Sequence, residues 1–334
     1  MLKFYKLMFS SMMMIGTLIT ISSSTWMGMW IGLEINLLSI IPLMNSTKNN
    51  LSSEASLKYF ITQTLASTMV LMTIILMSSN FSLNLLTPFN LMLNSALFMK
   101  MGAAPFHFWF PEVMEGLNWF NCLILLTWQK ISPMIIMLYN LNYPIFMFSI
   151  ILISMMISMI GLNQVSLRKF MAYSSINHIA WMIASMLIFQ SIWTYYFLIY
   201  TIITMNIIFV FKILNLFFMK QLFYTLNENL LTKLFFIMNF LSLGGLPPFL
   251  GFAPKWFTIQ FLMENNLYTI SNLMIIMTLL ALYYYMRLTF LVLAITSDQP
   301  SFMKLNTPNY FSIYSLNFVS ILGLSVITLT SSFM

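Results

Sequence analysis

Gly102-Ala-Ala-Pro105-Phe106-His107-Phe108-Trp109-Phe110-Pro111 aligns without gaps on Gly245-Leu-Pro-Pro248-Phe249-Leu-Gly-Phe-Ala-Pro254. Glycine, proline, phenylalanine and proline coincide. The chain has only 10 Gly and 11 Pro in 334 residues, so three such matches in one short stretch mark an internal repeat. Each copy interrupts an apolar stretch, 86–117 and 231–262, that is too long for a simple crossing of about 20 residues. Gly/Pro clusters there predict helices that break within the membrane and resume. The copies lie five spans apart, an odd number, so the second enters the membrane from the opposite side. That is the inverted-topology repeat of transporters, whose broken helices bracket an ion or substrate site near the midplane.

The remaining sequence fits an all-α polytopic membrane protein. Hydrophobic residues make up 60% of the chain and charged ones 6%, against about 25% charged in a soluble domain. Apolar runs recur along the whole length, which leaves no room for a soluble domain and predicts one membrane domain over 1–334. Dividing at polar and Pro/Gly breaks gives eleven spans: 4–22, 26–44, 56–78, 86–117, 119–139, 145–163, 171–189, 193–219, 231–262, 267–292 and 309–331. The first repeat then covers 1–140, the second 141–292, and a linker with a C-terminal helix fills 293–334.

Basic residues test that count, because they collect on one side of a membrane. With connections assigned alternately to sides A and B, Lys3, Lys6, Lys48, Arg168, Lys169, Lys220 and Lys304 all fall on side A and none on side B. Side A is expected to be the matrix or cytoplasm, with the N-terminus on it. This bias explains the net charge of +7. Nucleic-acid binding is not expected, since the basic residues never form a patch interleaved with aromatics. The single Cys122 excludes an intrachain disulfide and a protein-ligated iron–sulfur cluster, so any redox centre is expected in another chain. Lys3 and Lys6 precede an apolar run without a small-residue cleavage site, which reads as a retained helix rather than a signal peptide. There is no Arg-rich transit peptide, and the Met-rich composition suits synthesis inside an organelle.

A charge at the centre of a span costs about 2.5–3.5 kcal/mol on insertion scales, so each one needs a reason. Glu34, Lys100, Lys130 and Lys255 are the clearest cases. Glu34 lies mid-span, as a proton carrier or as a hydrogen-bonded lock between helices. Lys100 directly precedes the first break and Lys255 directly follows the second; either satisfies carbonyls freed there, handles protons, or both. Lys130 falls in a continuous span. His107 and His178, the only histidines, read as proton-path residues or packed hydrogen-bonded groups, and less well as axial haem ligands. Glu54 and Lys58 have i,i+4 spacing for a surface pair, while Lys212, Lys233 and Arg287 lie near side A ends, where long stems snorkel. The chemistry available is proton transfer; no nucleophilic grouping, phosphate loop or metal-ligand spacing is present.

Several stretches, taken together, resemble a known family: Trp30-Ile-Gly-Leu-Glu34-Ile-Asn, Glu54-Ala-Ser-Leu-Lys58, Lys100-Met-Gly-Ala-Ala-Pro105, Leu126-Thr-Trp-Gln-Lys130-Ile-Ser-Pro, Arg168-Lys-Phe-Met-Ala-Tyr-Ser-Ser-Ile-Asn-His178 and Ser242 through Lys255. It is the antiporter-like subunit 2 family of mitochondrial NADH:ubiquinone oxidoreductase, respiratory complex I. The resemblance runs in order over residues 30–256. It implies a proton-translocating subunit of the membrane arm, in the mitochondrial inner membrane, with other membrane-arm subunits as partners. It also implies no cofactor on this chain, with NADH, FMN, iron–sulfur clusters and ubiquinone handled by other subunits. In the family, the glutamate matching Glu34 pairs with the lysine matching Lys100; the lysine matching Lys130 is the central relay, and the one matching Lys255 ends the half-channel. Bacterial relatives have fourteen helices, whereas eleven are expected here, as in the shorter animal mitochondrial forms.

Two geometric expectations follow. Glu34 should approach Lys100, directly or through one water. Lys100, Lys130 and Lys255 should form a row near mid-depth, with His107 and His178 as polar stepping stones. A sodium/proton antiporter subunit and a structural membrane scaffold are the competing readings.

Overall fold

A computed structural model describes residues 4–46, 49–79, 83–141, 144–226, 230–294 and 317. The described residues are helical, and the chain forms two compact units, Met1–Ser154 and Met155–Met334. Seven helical segments are long and apolar enough to cross a bilayer: Phe4–Ser22, Trp26–Met44, Asn50–Ser78, Trp119–Leu138, Pro144–Asn163, Gln190–Ile213 and Tyr268–Ala294. Three further expected spans differ from these for physical reasons. Those over 86–117 and 231–262 are interrupted, and the one over 171–189 carries Asn177 and His178 in a helix whose first turn holds Arg168 and Lys169. The expected span 309–331 lies outside the described residues, except for Asn317, which accepts a hydrogen bond from Asn239.

The first unit holds α1 (Phe4–Ser22), α2 (Trp26–Met44), α3 (Asn50–Ser78), α4 (Leu83–Met101), α5 (Trp109–Gly116), α6 (Trp119–Leu126) and α7 (Trp128–Leu138). Helices α1 and α2 meet backbone to backbone. A Cβ added to Gly32 would lie 2.8 Å from the Thr20 nitrogen, and one on Gly16 3.0 Å from the Asn36 nitrogen. Small residues permit this approach where lipid supplies no hydrophobic drive between helices. Polar cross-links join the rest. The Trp30 indole donates to the Ser67 carbonyl (3.2 Å), Thr20 to Ser132 (3.2 Å), and the Asn94 and Asn140 amides bond one another (3.1 Å). Lys58 does more than its i,i+4 spacing predicts: it bridges Glu54 and Glu112, both at 2.9 Å, tying α3 to α5.

Helix α8 (Pro144–Ser158) leads into the second unit, where a 3-10 turn (Met159–Asn163) precedes α9 (Leu167–Met186), α10 (Gln190–Ile213), α11 (Met219–Leu226), α12 (Leu230–Gly244), α13 (Phe252–Glu264) and α14 (Tyr268–Ala294). The loop before α9 and the loop after α10 are joined by an antiparallel bridge between Ser166 and Phe218. Its bonds run from Leu167 N to Phe217 O (3.0 Å) and from Met219 N to Val165 O (3.1 Å). These two connections, both expected on side A, therefore share one end of the unit. Helix α14 is fastened to α9 by the Tyr284 hydroxyl, which donates to the Phe170 carbonyl (2.8 Å), and by stacking of the same two rings at 4.3 Å. The short helix α11 was not among the expected elements.

Candidate functional site

Both repeat copies end a helix in the same way. Gly102 and Gly245 have φ of +73° and +82°, the left-handed conformation that glycine adopts without a Cβ penalty. Beyond each glycine the next amide reaches back five residues, from Ala103 to the Phe98 carbonyl (3.0 Å) and from Leu246 to that of Leu241 (3.3 Å). That is the Schellman termination. It closes α4 and α12 at matching positions, and the chain resumes as helix at Trp109 and Phe252. The freed carbonyls find different donors. Trp109 Nε1 donates to Met99 O (3.1 Å) at the first break, and Lys255 Nζ to Leu243 O (3.0 Å) and Gly244 O (2.9 Å) at the second. Lys255 thus caps a helix end, one of the two roles its position allows.

Lys100, in the last turn of α4, is buried and lines a cavity of about 20 Å³ together with Asn36, Tyr59, Gln63 and Gln129. That volume holds one water. The neutral groups around it are chained: Gln129 Nε2 donates to Asn36 Oδ1 (2.9 Å), the Tyr59 hydroxyl donates to Gln129 Oε1 (3.4 Å), and Gln63 Nε2 reaches the Lys100 carbonyl (3.5 Å). Glu34 is half-buried at mid-α2 and makes no direct ion pair with Lys100, since the ion pairs within 4 Å among the described residues are those of Lys58. Counting charges singled out Lys100 but missed its neutral neighbours. Tyr59 and Gln63, polar and one helical turn apart in an apolar span, were the available signal.

Lys130 is 2% exposed, and its surroundings differ from the continuous span read from the sequence. The helix is interrupted at Thr127 (φ −115°, ψ −71°), between α6 and α7, three residues before the lysine. The Thr127 hydroxyl bonds back to the Leu123 carbonyl (2.8 Å), and Pro133 has no N–H to give the Gln129 carbonyl, so the ladder is weak on both sides of Lys130. The Lys130 ammonium lies over the Phe110 ring, 5.5 Å from its centroid. Buried His107 lies in the first break, its Nδ1 3.3 Å from the Pro105 carbonyl.

In the second unit, His178 is buried mid-α9, its Nδ1 2.9 Å from the Tyr196 hydroxyl and its ring 5.0 Å from that of Tyr200. The structure therefore groups Glu34, Lys100, His107 and Lys130 in the first unit and His178 and Lys255 in the second. The three buried lysines among the described residues all lie at helix interruptions.

A profile of the transmembrane family described as NADH:quinone oxidoreductase/Mrp antiporter matches residues 23–281. The chain belongs to this family. The match takes in both breaks and all six candidate residues. Among family relatives, the chain is similar to the NADH-ubiquinone oxidoreductase chain 2 of Anopheles gambiae, with 49% identity over 328 residues and 96% of each chain covered. Its fold is shared with a chain of respiratory complex I from Thermus thermophilus solved with bound aureothin (TM-score 0.85, 22% identity, covering 96% of this chain and 79% of that one). It is shared likewise with a chain of the Mrp complex of Dietzia sp. (TM-score 0.81, 14% identity, 96% and 75% covered). The antiporter family's fold is thus common to a redox-linked assembly and an Mrp assembly.

Proposed function

We propose that this chain is a proton-translocating core subunit in the membrane arm of mitochondrial NADH:ubiquinone oxidoreductase. In this reading it is a multi-pass protein of the inner membrane, with its N-terminus on the matrix side. It moves protons through Glu34, Lys100, Lys130 and Lys255, with His107 and His178 as intermediate polar groups. Electron transfer from NADH through FMN and iron–sulfur clusters to ubiquinone takes place in partner subunits. The two five-helix repeats, 1–140 and 141–292, are related by inversion in this account.

The observation that carries the proposal is the coincidence of buried lysines with helix interruptions. An uninterrupted helix offers a lysine no backbone partner, because every carbonyl is already used. At a break the ammonium meets free carbonyls, ring faces and room for water, so protonated and neutral forms are both accommodated. Lys100 has the water-sized cavity, Lys130 the Phe110 face and Lys255 two carbonyls. A purely structural scaffold would fill these positions with apolar side chains at lower cost.

The fold shared with the Mrp complex favours a second reading, a sodium/proton antiporter subunit working without a redox partner. Purification separates the two. The leading proposal expects copurification with flavin and iron–sulfur proteins, and NADH-driven proton uptake that Lys130→Met abolishes. Sodium-dependent proton exchange by a preparation free of those proteins would establish the alternative.

A further inference from the structure

The second unit contains a cavity of about 340 Å³ that the proton path does not use. It is lined by Gly161–Asn163 of the 3-10 turn after α8, by Gln164 and Val165 beyond that turn, by Met219 at the start of α11, and by Arg287, Leu288 and Leu291 of α14. The Ser166–Phe218 bridge holds the two loops together beside it, and the stacked rings of Phe170 and Tyr284 form its inner wall. It is therefore a built recess at one end of the unit, open where Val165 and Leu291 are 60% and 39% exposed.

Its chemistry is two-sided. Arg287 is the cation of the lining, anchored by a bond from Nη1 to the Leu162 carbonyl (3.4 Å). A guanidinium has five N–H donors, so further donors remain for an anion. Among the described residues no carboxylate lines the cavity, and the only one in this unit is Glu264 at the end of α13. Glu264 adjoins the start of α14 at Tyr268, about 28 Å from Arg287 along a helix that rises about 1.5 Å per residue. Arg168, Lys169 and Lys220 belong to the elements that flank the recess. Around the cation the walls are apolar, and the neighbouring face of α14 exposes Leu279, Leu280, Tyr283 and Phe290. A free anion has no use for such walls.

We propose that this recess is a binding site for an anionic membrane phospholipid, with the headgroup phosphate on the Arg287 guanidinium and an acyl chain along Leu288 and Leu291. Basic pockets between spanning helices, at the level of the headgroups, select such lipids. Arginine suits the task because its planar fork takes two phosphate oxygens at once. Neither Lys255 nor His178 lines the recess, whereas Phe170 of α9 and Tyr284 of α14 do, so lipid occupancy concerns the setting of α14 against α9.

The test uses the whole assembly in nanodiscs of phosphatidylcholine, doped with a photoactivatable phospholipid bearing either a glycerol or a choline headgroup, with the labelled peptides mapped. The anionic probe is expected to label the peptides around Met219 and Leu288–Leu291, and the choline probe to label them about fivefold less, the discrimination one basic residue gives at a membrane surface. Arg287→Gln should bring the anionic probe down to the choline level. Leu291→Trp, which fills the mouth but keeps the cation, should also reduce labelling and serves if the Arg287 variant fails to assemble. Equal labelling by the two probes overturns the proposal. So does complete displacement of the anionic probe by inorganic phosphate, which would make this a free-anion site, or cross-linking of these residues to a neighbouring polypeptide that fills the recess.

Discussion

The Lys130 ammonium lies 5.5 Å from the centre of the Phe110 ring, and that same ring backs the glycine that ends α4. A Cβ on Gly102 would lie 3.2 Å from Phe110 Cβ and Cγ. The central lysine of the chain and the first helix break thus share one aromatic side chain. A ring face attracts a cation by about 0.5–2 kcal/mol, more when both are desolvated. Phe110 therefore links the charge on Lys130 to the geometry at Gly102.

Lys130→Met keeps a similar volume, so the assembly should still form while NADH oxidation and proton pumping fall together. Phe110→Leu should give a partial defect in both. Coupled-rate measurements in inverted vesicles decide the matter, and undiminished pumping by Lys130→Met would remove the relay from this account.

Gly245→Ala faces two costs. The left-handed backbone costs an alanine about 1 kcal/mol, and the new Cβ would lie 2.8 Å from Lys255 Cδ. Gly244→Ala, one residue earlier, meets nothing nearer than 3.6 Å and is the control. Accumulated subunit should drop for the first and stay near wild type for the second; equal levels would contradict the tight packing between Gly245 and Lys255.

Lys255 can be separated into its two roles. Lys255→Gln keeps an N–H donor for the Leu243 and Gly244 carbonyls, whereas Lys255→Leu leaves them buried without it, at a cost of about 1–3 kcal/mol. The glutamine variant should assemble better than the leucine variant yet pump no better. If glutamine restores pumping as well, Lys255 is a cap and not a carrier.

Gly32→Ala should loosen the α1–α2 pairing, since its Cβ would meet Thr20 atoms at 2.5 and 2.8 Å. Overpacking of this kind costs about 1–3 kcal/mol. Limited proteolysis should reveal the destabilised pair as earlier cleavage between Ser22 and Trp26.

Sidedness is testable at exposed loop positions. Cysteines placed at Asn163 and Asn215 should react with an impermeant reagent from one side of the membrane, and a cysteine at Asn266 from the other. Identical sidedness for all three would undo the alternation on which the expected topology rests.

The interruptions at Gly102 and Gly245 were legible because glycine and proline are scarce enough in this chain to stand out, and the lysines because a charge in an apolar run is costly. The break at Thr127 was not. A threonine bonding to its own helix leaves no compositional mark, and Pro133, although visible, acts six residues away. The Asn36, Tyr59, Gln63 and Gln129 cluster escaped for a related reason: neutral polar groups are cheap to insert, and only packing shows that four of them face one lysine. Helix α11 is too short for periodicity to detect. The expected row of Lys100, Lys130 and Lys255 depends on how the two units are placed, which no residue pattern specifies.

The bridge between Ser166 and Phe218 sews together the entrance of α9 and the exit of α10 with two main-chain bonds. Sliding one of these helices along the other by a single turn, about 5.4 Å, would tear that seam. The pair is therefore a fixed frame. A movement within this unit that keeps the seam intact is left to elements outside the pair, among them the severed helix, α12 and α13, which turns at Gly245, and to rotation of side chains.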